Sequence, residues 1–156
     1  MFLLLAFALA SPPASTPDSN THFSYSLQTS ASAATIWAIW TDVSRWQTWD
    51  IGLISAEIFG PFEVGARGYL LPEQGPKSSF RLVAVQPGVS YTIRTRLPLG
   101  ALYVKRTLSV VEGHTQFTHE VWIAGISKPI FSRVLGRKFR AMLPDVLAAI
   151  KAQAEQ

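Results

Sequence analysis

Hydrophobic and polar side chains alternate along much of this chain, and where the alternation stops a helical spacing replaces it. Phe23, Tyr25 and Leu27 alternate with Ser24, Ser26 and Gln28, the pattern of a half-buried strand. Ile36, Trp37, Ile39, Trp40 and Val43 then fall at helical spacing, with Ser30 or Ser32 placed to cap the helix. Asp42 to Asp50 reads as a turn and a second short helix. Ile54–Phe59 and Arg67–Leu71 are the next strands, separated by Gly60-Pro61 and Gly65.

Three hairpins follow, and their registers can be compared. A two-residue turn at Pro87-Gly88 sets Leu82 against Ile93 and Arg81 against Arg94. A loop over Pro98–Ala101 sets Ile93 against Arg106 and Arg94 against Lys105. A two-residue turn at Glu112-Gly113 sets Arg106 against His119 and Lys105 against Glu120. All three agree on the faces. One carries Phe80, Leu82, Ala84, Tyr91, Ile93, Val104, Leu108, Val110, Phe117, Val121 and Ile123 and belongs to the core. The other carries Arg81, Arg94, Arg96, Tyr103, Lys105, Glu120 and Trp122 and belongs to solvent. On that outer face Lys105 and Glu120 are expected to form an ion pair, and Tyr103 to stack on Trp122.

The last segment is a long helix with Ser127 as its cap and Pro129 in its first turn, where a missing N–H does no harm. Ile130, Val134, Phe139, Met142, Leu143, Val146, Leu147 and Ile150 form its apolar stripe. Pro144 predicts a kink, or a break near Ala141. The chain is therefore α+β: a curved antiparallel sheet of about six to seven strands wrapped around a long C-terminal helix, with two short helices after the first strand.

Composition narrows the function. The chain has 156 residues, enough for one domain; 48% are apolar and 15% charged, so a sizeable core is expected. There is no cysteine, which excludes disulfides, thiolate metal ligands and a cysteine nucleophile. Three scattered histidines have no ligand spacing, so no metal is expected, and no cofactor motif is present. The net charge of +4 is spread too thinly for a nucleic acid partner. Phe2–Leu9 is apolar and Ala8-Leu9-Ala10 before Ser11 matches a cleavage site, so residues 1–10 read as signal-like and 11–20 as a Pro/Ser/Thr linker. If the segment acts as a signal, the domain is exported, periplasmic or secreted, or is tethered to a membrane through that segment. Otherwise it is cytoplasmic.

Four of the five tryptophans lie in Trp37-x-x-Trp-Thr-Asp-Val-x-x-Trp-x-x-Trp-Asp50. With the element order, the Val64-Gly65-Ala66 turn, the Val83–Gly88 hairpin and Thr115–Gly125 leading into the last helix, this motif resembles the START-like, helix-grip superfamily SRPBCC. Within it the chain is most similar to the polyketide cyclase/dehydrase group, over roughly residues 21 to 155. The resemblance implies a helix-grip fold with an interior that takes a hydrophobic compound. It carries over no catalytic residue.

The chemistry must be sought among the residues themselves. Arg106 and His119 are the polar members of the core face, and no carboxylate shares that face in these strands. A buried guanidinium without a protein partner calls for an anionic or strongly polar ligand group. A one-residue register shift would instead place both side chains in solvent. Arg106 could also extend to the sheet edge, and backbone carbonyls could satisfy His119. The expected ligand-lining set is Arg106 and His119 with Leu82, Ile93, Val104, Leu108, Phe117, Val121, Trp49, Phe139 and Met142. Trp46 and Trp49 either close the pocket mouth or wedge the fold. His119 is the one candidate for proton transfer. Three functions stay open: a carrier of a hydrophobic small molecule such as a lipid, isoprenoid or polyketide-like compound, a cyclase- or dehydratase-like enzyme in the same cavity, or an interaction domain without ligand.

Overall fold

The computed structural model describes residues 18–156. The signal-like segment and most of the linker lie outside them. The described elements are strand β1 (His22–Thr29), helix α1 (Ala33–Thr41), a 3-10 helix (Val43–Thr48), strands β2 (Leu53–Phe59), β3 (Arg67–Pro72), β4 (Ser78–Gln86), β5 (Ser90–Leu97), β6 (Gly100–Val111) and β7 (His114–Gly125), then a short helix α2 (Lys128–Phe131), one π turn (Ser132–Gly136) and helix α3 (Arg137–Ala154). All seven strands form one antiparallel sheet in the order β1-β7-β6-β5-β4-β3-β2. The sheet curves around α3, giving the expected α+β helix-grip architecture. Helix α3 packs on β1 and α1.

Local chemistry explains most of the boundaries. Ser32 caps α1, accepting from the Thr35 N–H at 3.1 Å. Glu112 and Gly113 both take positive φ, as a two-residue hairpin turn requires. The β6–β7 register is the one expected, with Arg106 opposite His119 and Lys105 opposite Glu120.

The β5–β6 register differs by two residues. Leu97 pairs with Gly100, so the turn is Pro98-Leu99 rather than a four-residue loop, with Leu99 at φ 54°. Arg106 therefore lies opposite Tyr91, and Ile93 opposite Val104. A slip of two leaves each side chain on its expected face. At β4–β5 the loop has three residues, Pro87–Val89, and a bulge at Val83 compensates for the extra one, so Leu82 still meets Ile93. Beyond the bulge the faces exchange: Val85, opposite Tyr91, turns inward, and Ala84 is exposed.

The C-terminal segment also corrects the expectation. Helix α3 continues through Pro144, and the irregularity lies at the π turn instead. There Gly136 packs against the Asn20 carbonyl so closely that a Cβ would clash. Ser127 stands at the cap position of α2, but its hydroxyl makes no capping bond. Leu143, Val146, Leu147 and Ile150 are buried, Phe139 and Met142 half-buried, and Ile130 and Val134 exposed. Val110 is exposed as well, near the β6–β7 hairpin tip.

The core is unusually rich in indole. Trp40, Trp46 and Trp49 are all buried, and Trp46 stacks on Phe80 with centroids 5.6 Å apart. Burying one such side chain is worth about 5 kcal/mol gross, taking about 25 cal/mol per Å² over about 200 Å².

Candidate functional site

The inner face of the sheet carries a polar row across three adjacent strands: Tyr91 on β5, Arg106 on β6 and His119 on β7, each directly opposite the next. All three are buried, Arg106 at 3% and His119 at 1% exposure. The tryptophan run covers this row. The Arg106 guanidinium carbon lies 4.8 Å from the Trp49 ring centroid and 5.0 Å from that of Trp46, so two indoles and the Tyr91 ring form a cage around the charge. Trp40 closes the other side, 5.6 Å from the His119 ring, and Trp49 is 6.2 Å from it. The Trp46 N–H donates to the Trp40 carbonyl at 2.8 Å, which locks the 3-10 helix against α1.

Hydrogen bonding in this cluster is incomplete. Arg106 Nη1 donates to the Tyr91 hydroxyl. Arg106 Nε, His119 Nε2, Trp40 Nε1 and Trp49 Nε1 are buried without a hydrogen-bond partner among the described residues. Three of these four atoms can only donate. A buried donor without an acceptor costs about 1–3 kcal/mol, so this set around one aromatic cage constitutes a demand for an acceptor.

The nearest anion comes from outside the strands. Asp50 ends the tryptophan run and is partly buried. Burial raises its pKa, while the charge of Arg106 and the nearby Gly52 backbone act in the opposite direction. No ion pair joins it to Arg106 among the described residues. His119 is held well below its ordinary value, first by burial and then by the charge of Arg106, and is neutral at pH 7. Burial also raises the Tyr91 phenol, against the effect of Arg106.

Of the remaining expected lining residues, those on the strands and Trp49 neighbour this row, whereas Phe139 and Met142 lie on α3. Leu82, Ile93, Leu108, Phe117, Val121 and Trp49 are buried, while Val104, Phe139 and Met142 are half-buried. Met142 reaches across from α3 to the backbone at Gly52, two residues beyond Asp50. Tyr91 and Asp50 are the members that the sequence did not single out. Tyr91 was visible as a hydroxyl on an apolar face, but the longer turn assigned to β5–β6 paired Arg106 with Ile93.

Two grooves stand out among the described residues, and neither is lined by Arg106 or His119. One, of about 850 Å³, runs along α1, the 3-10 helix and the end of α3, bordered by Ala38, Ile39, Asp42, Arg45, Trp49 and Gln153 among others. Trp49 belongs both to this groove and to the cage around Arg106. The other, of about 460 Å³, lies on the outer face between Phe59, Tyr69 and the arginines Arg67, Arg81, Arg94 and Arg96. On that face Tyr103 stacks on Trp122 as expected, with centroids 5.0 Å apart and planes 3° from parallel. Glu120 is bound by His22 at 2.6 Å rather than by Lys105. No group of metal-ligating side chains occurs among the described residues.

Among solved structures, the fold is similar to norcoclaurine synthase from Thalictrum flavum (13% identity, TM-score 0.64, covering 100% of this chain and 99% of that one). It is also similar to the hypothetical protein jhp0584 from Helicobacter pylori (8%, 0.70, 98% and 99%) and to protein CV1439 from Chromobacterium violaceum (15%, 0.64, 87% and 98%). At these identities the likeness is one of fold. No protein of curated function matches the sequence. A family model described as polyketide cyclase / dehydrase and lipid transport matches residues 20–155, nearly the whole described chain. The chain belongs to the polyketide cyclase/dehydrase and lipid-transport family.

Proposed function

We propose that this protein binds a hydrophobic small molecule through an acidic or carbonyl oxygen held at Arg106. The observation that carries this is the set of four buried nitrogens without partners: Arg106 Nε, Trp49 Nε1 on a ring of its cage, His119 Nε2 on the opposite strand residue, and Trp40 Nε1 on the ring beside His119. A ligand oxygen supplies the acceptor that this aromatic interior lacks, and its apolar body suits the indole walls. Trp49 is the partition between the cluster and the 850 Å³ groove, and its displacement joins the two. The family description, which includes lipid transport, supports a hydrophobic ligand of this general kind.

The test uses two apolar dyes of similar shape. The anionic anilinonaphthalene sulfonate is expected to bind one per chain, and Arg106→Met to lose it while still binding the neutral N-phenylnaphthylamine. Equal binding of the sulfonate by both proteins would contradict the proposal. If neither dye binds, the interior is a filled core and the polar row is structural.

A second reading has its own observation. His119 is neutral, has a free Nε2 and sits opposite a fixed positive charge. That is the equipment for taking a proton from a substrate while Arg106 stabilises the oxyanion that forms. In that case His119→Gln retains ligand affinity and loses turnover. Norcoclaurine synthase, which has this fold, is an enzyme by name.

A further inference from the structure

Four of the five most exposed large apolar side chains among the described residues lie at one end of the molecule: Ile126 at 83%, Leu99 at 74%, Ile130 at 67% and Val134 at 65%. The Ser127 N–H donates to the Leu99 carbonyl at 3.3 Å, which holds the β5–β6 turn against the turn entering α2. Ile130 on α2 and Val134 on the π turn are four residues apart, and Ile126 lies in the turn just before α2. Phe131, Ser132, Leu135 and Gly136 face inward, so the outward positions are not a misplaced core stripe. Leu99 sits at positive φ, a conformation bulky residues rarely adopt, and its side chain is presented to solvent all the same.

Within the stretch of sequence that builds this tip, the charge has one sign. Residues 121–144 contain Lys128, Arg133, Arg137, Lys138 and Arg140 and no acidic residue. Arg140 is paired with Asp18, whereas Lys128, Arg133, Arg137 and Lys138 are exposed and make no ion pair among the described residues. We infer that this tip docks on the surface of an anionic phospholipid bilayer. A protruding aliphatic tip with a basic collar suits insertion between headgroups, with the collar on the lipid phosphates. A protein partner is the weaker fit, because no aromatic anchor of the kind that dominates protein interfaces is among the tip residues. The inference does not depend on the interior ligand.

Co-sedimentation of the full chain with vesicles tests it. Binding is expected to vesicles containing about 30% phosphatidylglycerol, to be far weaker with phosphatidylcholine alone, and to fall as salt rises from about 0.1 to about 0.5 M. Ile130→Glu with Val134→Glu should reduce binding at least about tenfold, since it puts two charges where apolar contact is made. Arg133→Gln with Arg137→Gln should reduce it about twenty-fivefold, at roughly fivefold per charge. Both pairs are exposed, and unchanged melting temperatures will show that the fold is intact; if the glutamate pair melts low, Ile126→Glu replaces it. Three results would overturn the inference. One is no binding to either vesicle. Another is binding undiminished in both double variants, which places the contact in residues 1–17. The third is self-association abolished by the glutamate pair in a protein that ignores vesicles, which makes a second copy the occupant.

Discussion

The two faces of the same strands treat similar side chains in opposite ways. On β6, Arg106 points inward to an aromatic cage and is almost fully buried, while its neighbour Lys105 points outward. On β5, Tyr91 accepts from a buried guanidinium, whereas Arg94, on the outer face, donates its Nε to Tyr103 at 3.3 Å in solvent. The outer face sets Arg67, Arg81 and Arg94 side by side across three strands, an arrangement tolerable only where water screens it. Inside, burial first and the charge of Arg106 second hold His119 neutral, and burial leaves several donors in need of an acceptor. The same residue types are decoration on one surface and chemistry on the other, and solvation makes the difference.

Removing matched side chains from the two faces puts this contrast to its hardest test. Trp40→Ala is expected to cost about 4 kcal/mol in urea unfolding, because it leaves a cavity in the core. Trp122→Ala on the outer face should cost about 1 kcal/mol, the value of a stacked exposed pair. Equal losses would mean that the faces are not energetically distinct. The hydroxyls come next. Tyr91→Phe takes the partner from Arg106 Nη1 and should destabilise by about 1–3 kcal/mol, while Tyr103→Phe should change stability by under about 0.5 kcal/mol.

The contrast also extends to pH dependence. His119 has a lowered pKa when folded, so below the ordinary value of 6.5 the unfolded chain takes up a proton that the folded chain refuses. Stability is therefore complete above about pH 6.5 and declines as pH falls below it, by up to about 1.4 kcal/mol per pH unit. His119→Phe should flatten that part of the profile. Asp50, with its raised pKa, acts in the opposite sense from its ordinary value of 3.8 upward, so the difference between variant and parent is the quantity to follow.

Where apolar and polar residues alternate with period two, the sequence was sufficient. Faces, the β6–β7 register and the meeting of Arg106 with His119 could all be read from it, since an error of two residues leaves parity intact. The β5–β6 partner could not, because Pro98-Leu99 makes a tight turn with a leucine where glycine or asparagine is usual. The Val83 bulge was hidden for a related reason: an extra loop residue and an extra strand residue cancel, and only the short stretch between them betrays the exchange of faces. Asp50 was missed because it lies in a turn, and strand periodicity carries no information about turns. In the last helix, Ile130 and Val134 continue the apolar spacing of the buried stripe, yet tertiary placement leaves them in water.

The sheet order has a consequence for how the molecule is made. Strands β2 to β7 are joined as consecutive hairpins, but β1 hydrogen-bonds to β7, with His22 opposite Trp122. The first strand to leave the ribosome therefore waits for the last, and α3, which packs on β1, is later still. Loop closure over so much chain is slow, so the meander is expected to form first and β1 to dock at the end. A chain that ends before β7 also lacks Phe117 and His119, two of the ring partners of Trp40. A nascent chain stalled before β7 should accordingly lose β1 and α1 to proteases, whereas both are resistant in the finished protein.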